Sequence, residues 1–243
     1  MAEPQCSMGG MPAWADYQEE AALFFRSLGL TASTNETIEG IRGRHAVDVA
    51  VRGQRAGQQL LWIVECKRWK TRVSKLHVAA LISIVDDVGA DRGILLSEAG
   101  FQSGAVALAT RSNIRLTSLA ELRGESTWEY EDLQFNDYRR RLAQIEARLQ
   151  TFTVTRGNTS RTRKGIDGDQ LLRGYAMVST AQRALDAVHL NRWPIPYGLS
   201  FGTGDSDDFL AAASRSELVD GLGLEVDKAE ALSLELEAKV QEW

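Results

Sequence analysis

Apolar positions recur with two different periods along the first half of this chain, and the change from one to the other predicts its elements. From Trp14 to Leu28, residues Ala21, Ala22, Phe24, Phe25 and Leu28 fall on one side of a 3.6-residue spiral. That predicts an amphipathic helix, with Gly29 as its stop. Thr-rich Leu30 to Ile38 has strand propensity, and Gly40 and Gly43 mark a turn before Val47-Asp48-Val49-Ala50-Val51. Arg52 to Gln59, with Gly53 and Gly57, predicts a hairpin-like connection into the run Leu60-Leu61-Trp62-Ile63-Val64-Glu65-Cys66-Lys67. After a short basic loop, Ser74 is placed to cap a helix reaching about Val88. Gly93 to Leu96 reads as a short buried strand, Phe101 to Ser112 as a helix, and Ile114 to Thr117 as a closing strand. The order α-β-β-β-α-β-α-β predicts an α/β fold: a mixed sheet flanked by helices.

Beyond Gly124 the texture changes to long charged segments, predicting helices over Trp128 to Gln150 and Gln170 to Leu190. Thr151 to Asp169 is polar and basic and reads as a mobile loop. Asn191 to Gly198 holds two prolines and reads as a rigid, irregular connection, and Asp227 to Trp243 as a closing acidic helix. Three segments are therefore expected. Residues 1–13 form a flexible leader, 14–124 an α/β domain and 125–243 a mostly helical region.

At 243 residues, with 44% hydrophobic and 25% charged positions, the composition is that of a soluble globular protein. No apolar run approaches the ~20 residues of a membrane span, and Met1 to Met11 lacks the basic and apolar regions of a secretory signal. A cytoplasmic location is expected. Cys6 and Cys66 lie far apart, with no zinc-ligand spacing and no disulfide expected. The net charge of −5 argues against a uniformly basic nucleic-acid binder, but the charge is uneven. Arg42 to Lys75 holds nine Lys/Arg against Asp48 and Glu65, and Arg139 to Lys164 holds eight against Glu146. From Asp205 to Trp243 the balance reverses, with eleven acids and three bases. Local fields govern partners more than the total does.

Candidate chemistry sits at the end of the apolar run. A strand alternates its side chains, so Glu65 and Lys67 share one side while Cys66 points away. Asp48, on the preceding strand, can join them if the two strands pair. The same Glu-x-Lys spacing occurs at Glu237-Ala238-Lys239, in a predicted helix, where residues two apart do not face each other. As a bare exposed ion pair, Glu65 and Lys67 would contribute at most about 1 kcal/mol. His45 reads as a turn residue, His77 as either solvent-facing or DNA-facing, and Ser97 and Gln102 as secondary candidates.

Three stretches together resemble the catalytic domain of Mrr-type restriction endonucleases, within the PD-(D/E)XK nuclease superfamily. They are Tyr17 to Gly29, His45-Ala46-Val47-Asp48-Val49 and Val64-Glu65-Cys66-Lys67-Arg68-Trp69. Asp91 to Ser97, Gly100 to Ala105 and Ile114 to Thr117 are similar to the family's second half, so the resemblance spans about residues 14–122. It implies a restriction-endonuclease-like fold and a Mg²⁺-dependent DNA endonuclease, with Mn²⁺ as a substitute metal. Asp48, Glu65 and the backbone carbonyl of Cys66 would hold the metal, and Lys67 would serve the attacking water. The family's first-helix glutamate falls at Gln18, with Glu19 and Glu20 immediately after as replacements. Arg42, Arg44, Arg68, Trp69, Lys70, Arg72 and Lys75 are the candidate DNA contacts. A homodimer would supply two active sites for double-strand cleavage, and the C-terminal region is the candidate surface for a protein partner. Two alternatives stand: a DNA-binding or regulatory protein with the same fold and no turnover, and a repair or junction nuclease.

Overall fold

Five strands pair in chain order, β1 (Thr31–Glu39), β2 (Arg44–Arg55), β3 (Gln58–Cys66), β4 (Arg92–Leu96) and β5 (Ile114–Thr117), forming one mixed sheet. The first three are antiparallel, and β3, β4 and β5 run parallel. The short turn at Ala56 and Gly57 explains the antiparallel part, and α2 (Lys75–Val88) and α3 (Ser103–Ala109) supply the crossovers that parallel pairing needs. This is a computed structural model, and it describes residues 13–156, 159–199 and 209–241. The leader expected over residues 1–13 lies outside the described residues except for Ala13, which opens α1 (Ala13–Ser27). The chain divides into two units, Met1–Tyr130 and Glu131–Trp243.

Helices cover both faces of the sheet. From α1, Phe25 meets Trp62 of β3 edge to face, with centroids 6.2 Å apart. On α2, Val78, Leu81 and Val85 join Ile63, Leu95 and Ile114 in one buried cluster. Burying each such side chain contributes roughly 1.5–3 kcal/mol. Gly29 ends α1 and Gly89 ends α2, both in the left-handed region that glycine adopts without penalty. Ser74 is the N-cap of α2, but its side chain makes no capping bond. Before β3 ends, its ladder with β2 stops at Val49 opposite Val64, and β2 continues paired with β1 alone.

That β1–β2 extension lies over α2, and its turn is anchored at the helix's C-terminal end. Ile41 N–H donates to the Asp87 carbonyl at 3.0 Å. The buried Asp87 carboxylate accepts from Arg42 N–H and Nε and meets His45 Nε2 at 2.6 Å. His45 is thus a structural residue at the start of β2, just after the turn. The basic block from Arg42 to Lys75, with its nine Lys/Arg, is thereby divided. Arg42 is at the C-terminal end of α2, Lys75 starts that helix about 20 Å away, Arg52 pairs with Glu36 and Arg55 with Glu129.

The structure adds one element and corrects three local readings. Leu119–Glu125 is a helix, α4, started by a full capping box of Ser118 and Glu121. The expected mobile loop contains a hairpin, β6 (Thr153–Arg156) with β7 (Thr159–Thr162), whose Thr and Val residues favour strand. The expected irregular stretch contains β8 (Ile195–Leu199), paired with β9 (Phe209–Ala212). In a two-stranded sheet every strand is an edge, where proline is tolerated. The closing helix α7 (Arg215–Gln241) starts twelve residues earlier than expected. Its Gly221 and Gly223 discourage a helical reading, yet a Cβ at either would lie 2.3 Å from Tyr197 Cζ or 2.7 Å from Tyr138 Oη. The glycines are there for close approach.

In the second unit, the part of α5 (Thr127–Gln150) from Glu131 onward, α6 (Gly168–Val188) and α7 enclose one core containing Leu142, Ile145, Leu185, Leu218 and Leu222. Arg141 pairs with Asp227 and Glu230, and Arg148 with Glu237, tying α5 to α7.

Arg42 and His45 hold the Asp87 carboxyl down from 3.8 to about 2. A depressed carboxyl contributes stability above its unfolded pKa and loses it as pH falls through the folded one. Asp87→Ala is expected to lower the urea midpoint at neutral pH. The gap to wild type should close between about pH 4 and pH 2, as read by fluorescence-monitored urea titrations at each pH.

Candidate active site

Where the β2–β3 ladder stops, a side chain takes over. Asp48 is the residue of β2 just past the last pair, and its Oδ2 accepts the Cys66 backbone N–H at 2.7 Å. Its other oxygen, Oδ1, accepts from Gln18 Nε2 on α1 at 2.7 Å. Lys67 N–H donates to the Leu96 carbonyl at 2.9 Å, continuing the link to β4. These bonds set the direction of the Lys67 side chain. Its Nζ lies 2.8 Å from Glu65 Oε2 and 3.8 Å from Asp48 Oδ2.

Four predicted residues are therefore brought together: Gln18, Asp48, Glu65 and Lys67. Asp48, Glu65 and Lys67 are partly buried, with side chains 15–23% exposed, which strengthens their mutual fields relative to surface pairs. Burial pushes the Glu65 carboxyl upward, Asp48 adds to that, and the hydrogen bond from Lys67 opposes it. For Lys67, burial alone would depress the ammonium, but the bond and charge of Glu65, with Asp48, outweigh it and the net direction is upward. Burial, reinforced by Asp48 and Glu65, also pushes the Cys66 thiol up, so it is held as a neutral structural group.

Glu20 does not join the cluster. It is exposed and 3.7 Å from Arg123, because two residues along a helix turn a side chain about 200° away from Gln18. Glu19 instead accepts from Arg26. Gln18 is the first-helix residue that faces Asp48, buried at 4% exposure, and its Oε1 has no hydrogen-bond partner among the described residues. The signal for this was in the sequence: Gln18, Ala22 and Phe25 share one helical stripe, so a polar residue sat on the buried side.

Arg68, Trp69, Lys70, Arg72 and Lys75 are exposed on the segment that runs from Lys67 into α2. Arg68 stacks 5.9 Å from the Tyr17 ring centre. Trp69 lies edge-on to His77, with Lys67 Nζ 5.8 Å from its ring centre. Arg42 and Arg44 are elsewhere, paired with Asp87 and Glu39. Ser97 is buried, with its N–H bonded to the Thr117 carbonyl, and Gln102 is the exposed N-cap of α3.

Sequence reasoning missed two supporting residues. Tyr17 Oη donates to Glu98 Oε1 at 2.8 Å, and the same oxygen accepts Leu119 N–H at 2.9 Å. This joins α1, beside Gln18, to the turn after β4 and to the start of α4. Tyr17 extends the apolar stripe of α1 and was legible on that ground. Glu98 was not, since its partner is 81 residues away.

The donor set suits a hard divalent cation. Two carboxylates share one half-buried place with a single ammonium, leaving uncompensated negative charge there. An unpartnered buried amide oxygen, Gln18 Oε1, belongs to the same cluster. Oxygen donors of this kind, completed by water, are what Mg²⁺ takes.

A mixed sheet between helices, with two acids and a lysine gathered where the β2–β3 ladder ends, defines a restriction-endonuclease-like domain. Residues 12–124 match the restriction endonuclease family Mrr_cat, which is consistent with an Mrr-type nuclease domain of the PD-(D/E)XK superfamily. The match does not extend to residues 125–243. No curated protein matches the chain. A solved structure titled "Crystal Structure of Protein of Unknown Function AF1548" aligns at 14% identity with a TM-score of 0.39, covering 90% of this chain and 97% of that one. A likeness of that size carries no functional argument. No helix among the described residues is long and apolar enough to cross a membrane.

Tyr17→Phe should cost about 1 kcal/mol in stability, since it removes one buried hydrogen bond and leaves the ring in place. Chemical denaturation of the two proteins measures that difference.

Proposed function

We propose that this protein is a cytoplasmic, Mg²⁺-dependent endonuclease of restriction or defence type that hydrolyses DNA phosphodiester bonds. The observation that carries this reading is the cluster of Asp48, Glu65 and Lys67, backed by Gln18. Asp48, Glu65 and the Cys66 carbonyl would hold Mg²⁺ or Mn²⁺. When bound, the cation supplies positive charge to the phosphoryl oxygens and acidity to a nearby water.

The chain's own residues do the rest. Gln18 and the Cys66 N–H fix both oxygens of Asp48, so its orientation does not have to be set when substrate arrives. Lys67, steered by Glu65, presents a positive donor to the attacking water and to the charge that develops on the phosphoryl group. Lys70, Arg72 and Lys75 contact phosphates along the strand, while Arg68 and Trp69 flank the cleft. Arg42 and Arg44, although engaged with Asp87 and Glu39, are exposed enough to add longer-range attraction. Cleavage of both strands requires two such sites, which a homodimer provides.

Plasmid incubated with Mg²⁺ should be nicked or linearised. EDTA should stop this, and Asp48→Ala and Lys67→Ala should each reduce it by at least about 100-fold. Titration calorimetry gives an independent readout, with Mn²⁺ binding to wild type and not to Asp48→Ala. A wild type that binds Mn²⁺ and DNA yet cleaves neither modified nor unmodified DNA would be a binding module instead. Preference for branched over linear DNA would make it a junction nuclease. Sedimentation velocity tests the dimer.

A further inference from the structure

The second basic block, Arg139 to Lys164, is divided by the structure into two chemically different parts. On α5 its arginines are engaged within the unit. Arg139 donates to the Leu185 carbonyl, Arg140 pairs with Asp137, Arg141 with Asp227 and Glu230, and Arg148 with Glu237. The remaining cations lie on or directly after the β6–β7 hairpin. Arg161 is on β7, opposite Val154 of β6, and Arg163 N–H extends the ladder to the Phe152 carbonyl. Arg161 and Arg163 are exposed and meet no carboxylate among the described residues. From Ala147 to Ile166 the sequence contains no Asp or Glu at all.

Arg163 lies one residue past the end of β7, but its N–H bond to Phe152 continues the pairing, so strand alternation puts Arg161 and Arg163 on the same side of the ribbon. Phe152 anchors that side in the core of the unit, while Val154, farther along β6, is 53% exposed. The ribbon thus leaves a packed base at Phe152 and carries Arg161, across from exposed Val154, and Arg163 into solvent. In a protein of net charge −5, an unpaired pair of guanidinium groups on a two-stranded ribbon is placed for a polyanion.

We infer that the β6–β7 hairpin is a second nucleic-acid-binding element, which grips the phosphate backbone through Arg161 and Arg163. It rests on the nuclease reading only in its choice of DNA as the polyanion. Contacts of this kind bind by releasing counterions and carry no sequence preference.

The test uses the full chain in EDTA, with a fluorescein-labelled DNA duplex read by anisotropy across a salt series. The variant Arg161→Ala/Arg163→Ala should weaken binding on the order of tenfold and reduce the slope of log K against log salt by about two. Arg161→Lys/Arg163→Lys should keep most of the slope, and Arg140→Ala, from the engaged part of the same block, should match wild type. Circular dichroism confirms that each variant is folded. An unchanged slope in the double alanine variant overturns the inference, as does a wild type that binds no duplex or prefers polyglutamate to DNA. Plasmid cleavage separates the two proposals. A wild type that cleaves, with binding indifferent to the hairpin, refutes the hairpin role alone. Hairpin-dependent binding by a protein that never cleaves refutes the nuclease reading alone.

Discussion

Everything at the candidate site depends on the Asp48 carboxylate accepting the backbone N–H of Cys66. At that point the β2–β3 ladder has ended, and a strand N–H without a partner in a half-buried place would cost on the order of 1–3 kcal/mol. The side chain satisfies it, and in doing so an acid is fixed at the level of Glu65 and Lys67. β2 then continues with β1 over α2, where Asp87 secures the hairpin turn. One carboxylate closes the sheet and opens the site.

That arrangement carries an electrostatic cost that the fold leaves unresolved. Two carboxylates sit with one ammonium, burial works against Glu65, and Gln18 contributes a buried oxygen without a partner. A fold selected for stability alone would not keep such a group of charges where an apolar set would pack more favourably. Residual negative charge and spare oxygen donors are useful where a hard cation and a phosphate must be received. The match of residues 12–124 to the restriction endonuclease family Mrr_cat is consistent with a nuclease domain.

Several features were legible because they follow from local rules. The Ser118 and Glu121 capping box is a local signal of this kind, though the seven-residue helix it starts offers little periodicity. Gln18 was readable as a polar residue on an apolar stripe. Other features were opaque for a definite reason. Glu98 gains its role from Tyr17 and from the Leu119 N–H, neither of them near it in sequence. Gly221 and Gly223 argue against a helix by propensity, and only the rings of Tyr197 and Tyr138 explain them.

From the sequence alone came the order of elements in the first domain, the mixed sheet, and the convergence of Asp48, Glu65 and Lys67, because strand alternation and helical periodicity are properties of neighbours along the chain. The tertiary structure decided which first-helix residue meets Asp48, selecting Gln18 and turning Glu20 toward Arg123. It also decided which cations remain available. Arg42, Arg44, Arg52 and Arg55 were drawn into pairs with acids, as were most arginines of α5, while Arg161 and Arg163 were carried outward on a hairpin. Charge along a sequence counts residues. The partners that neutralise them lie on other elements, and only packing brings those partners within reach.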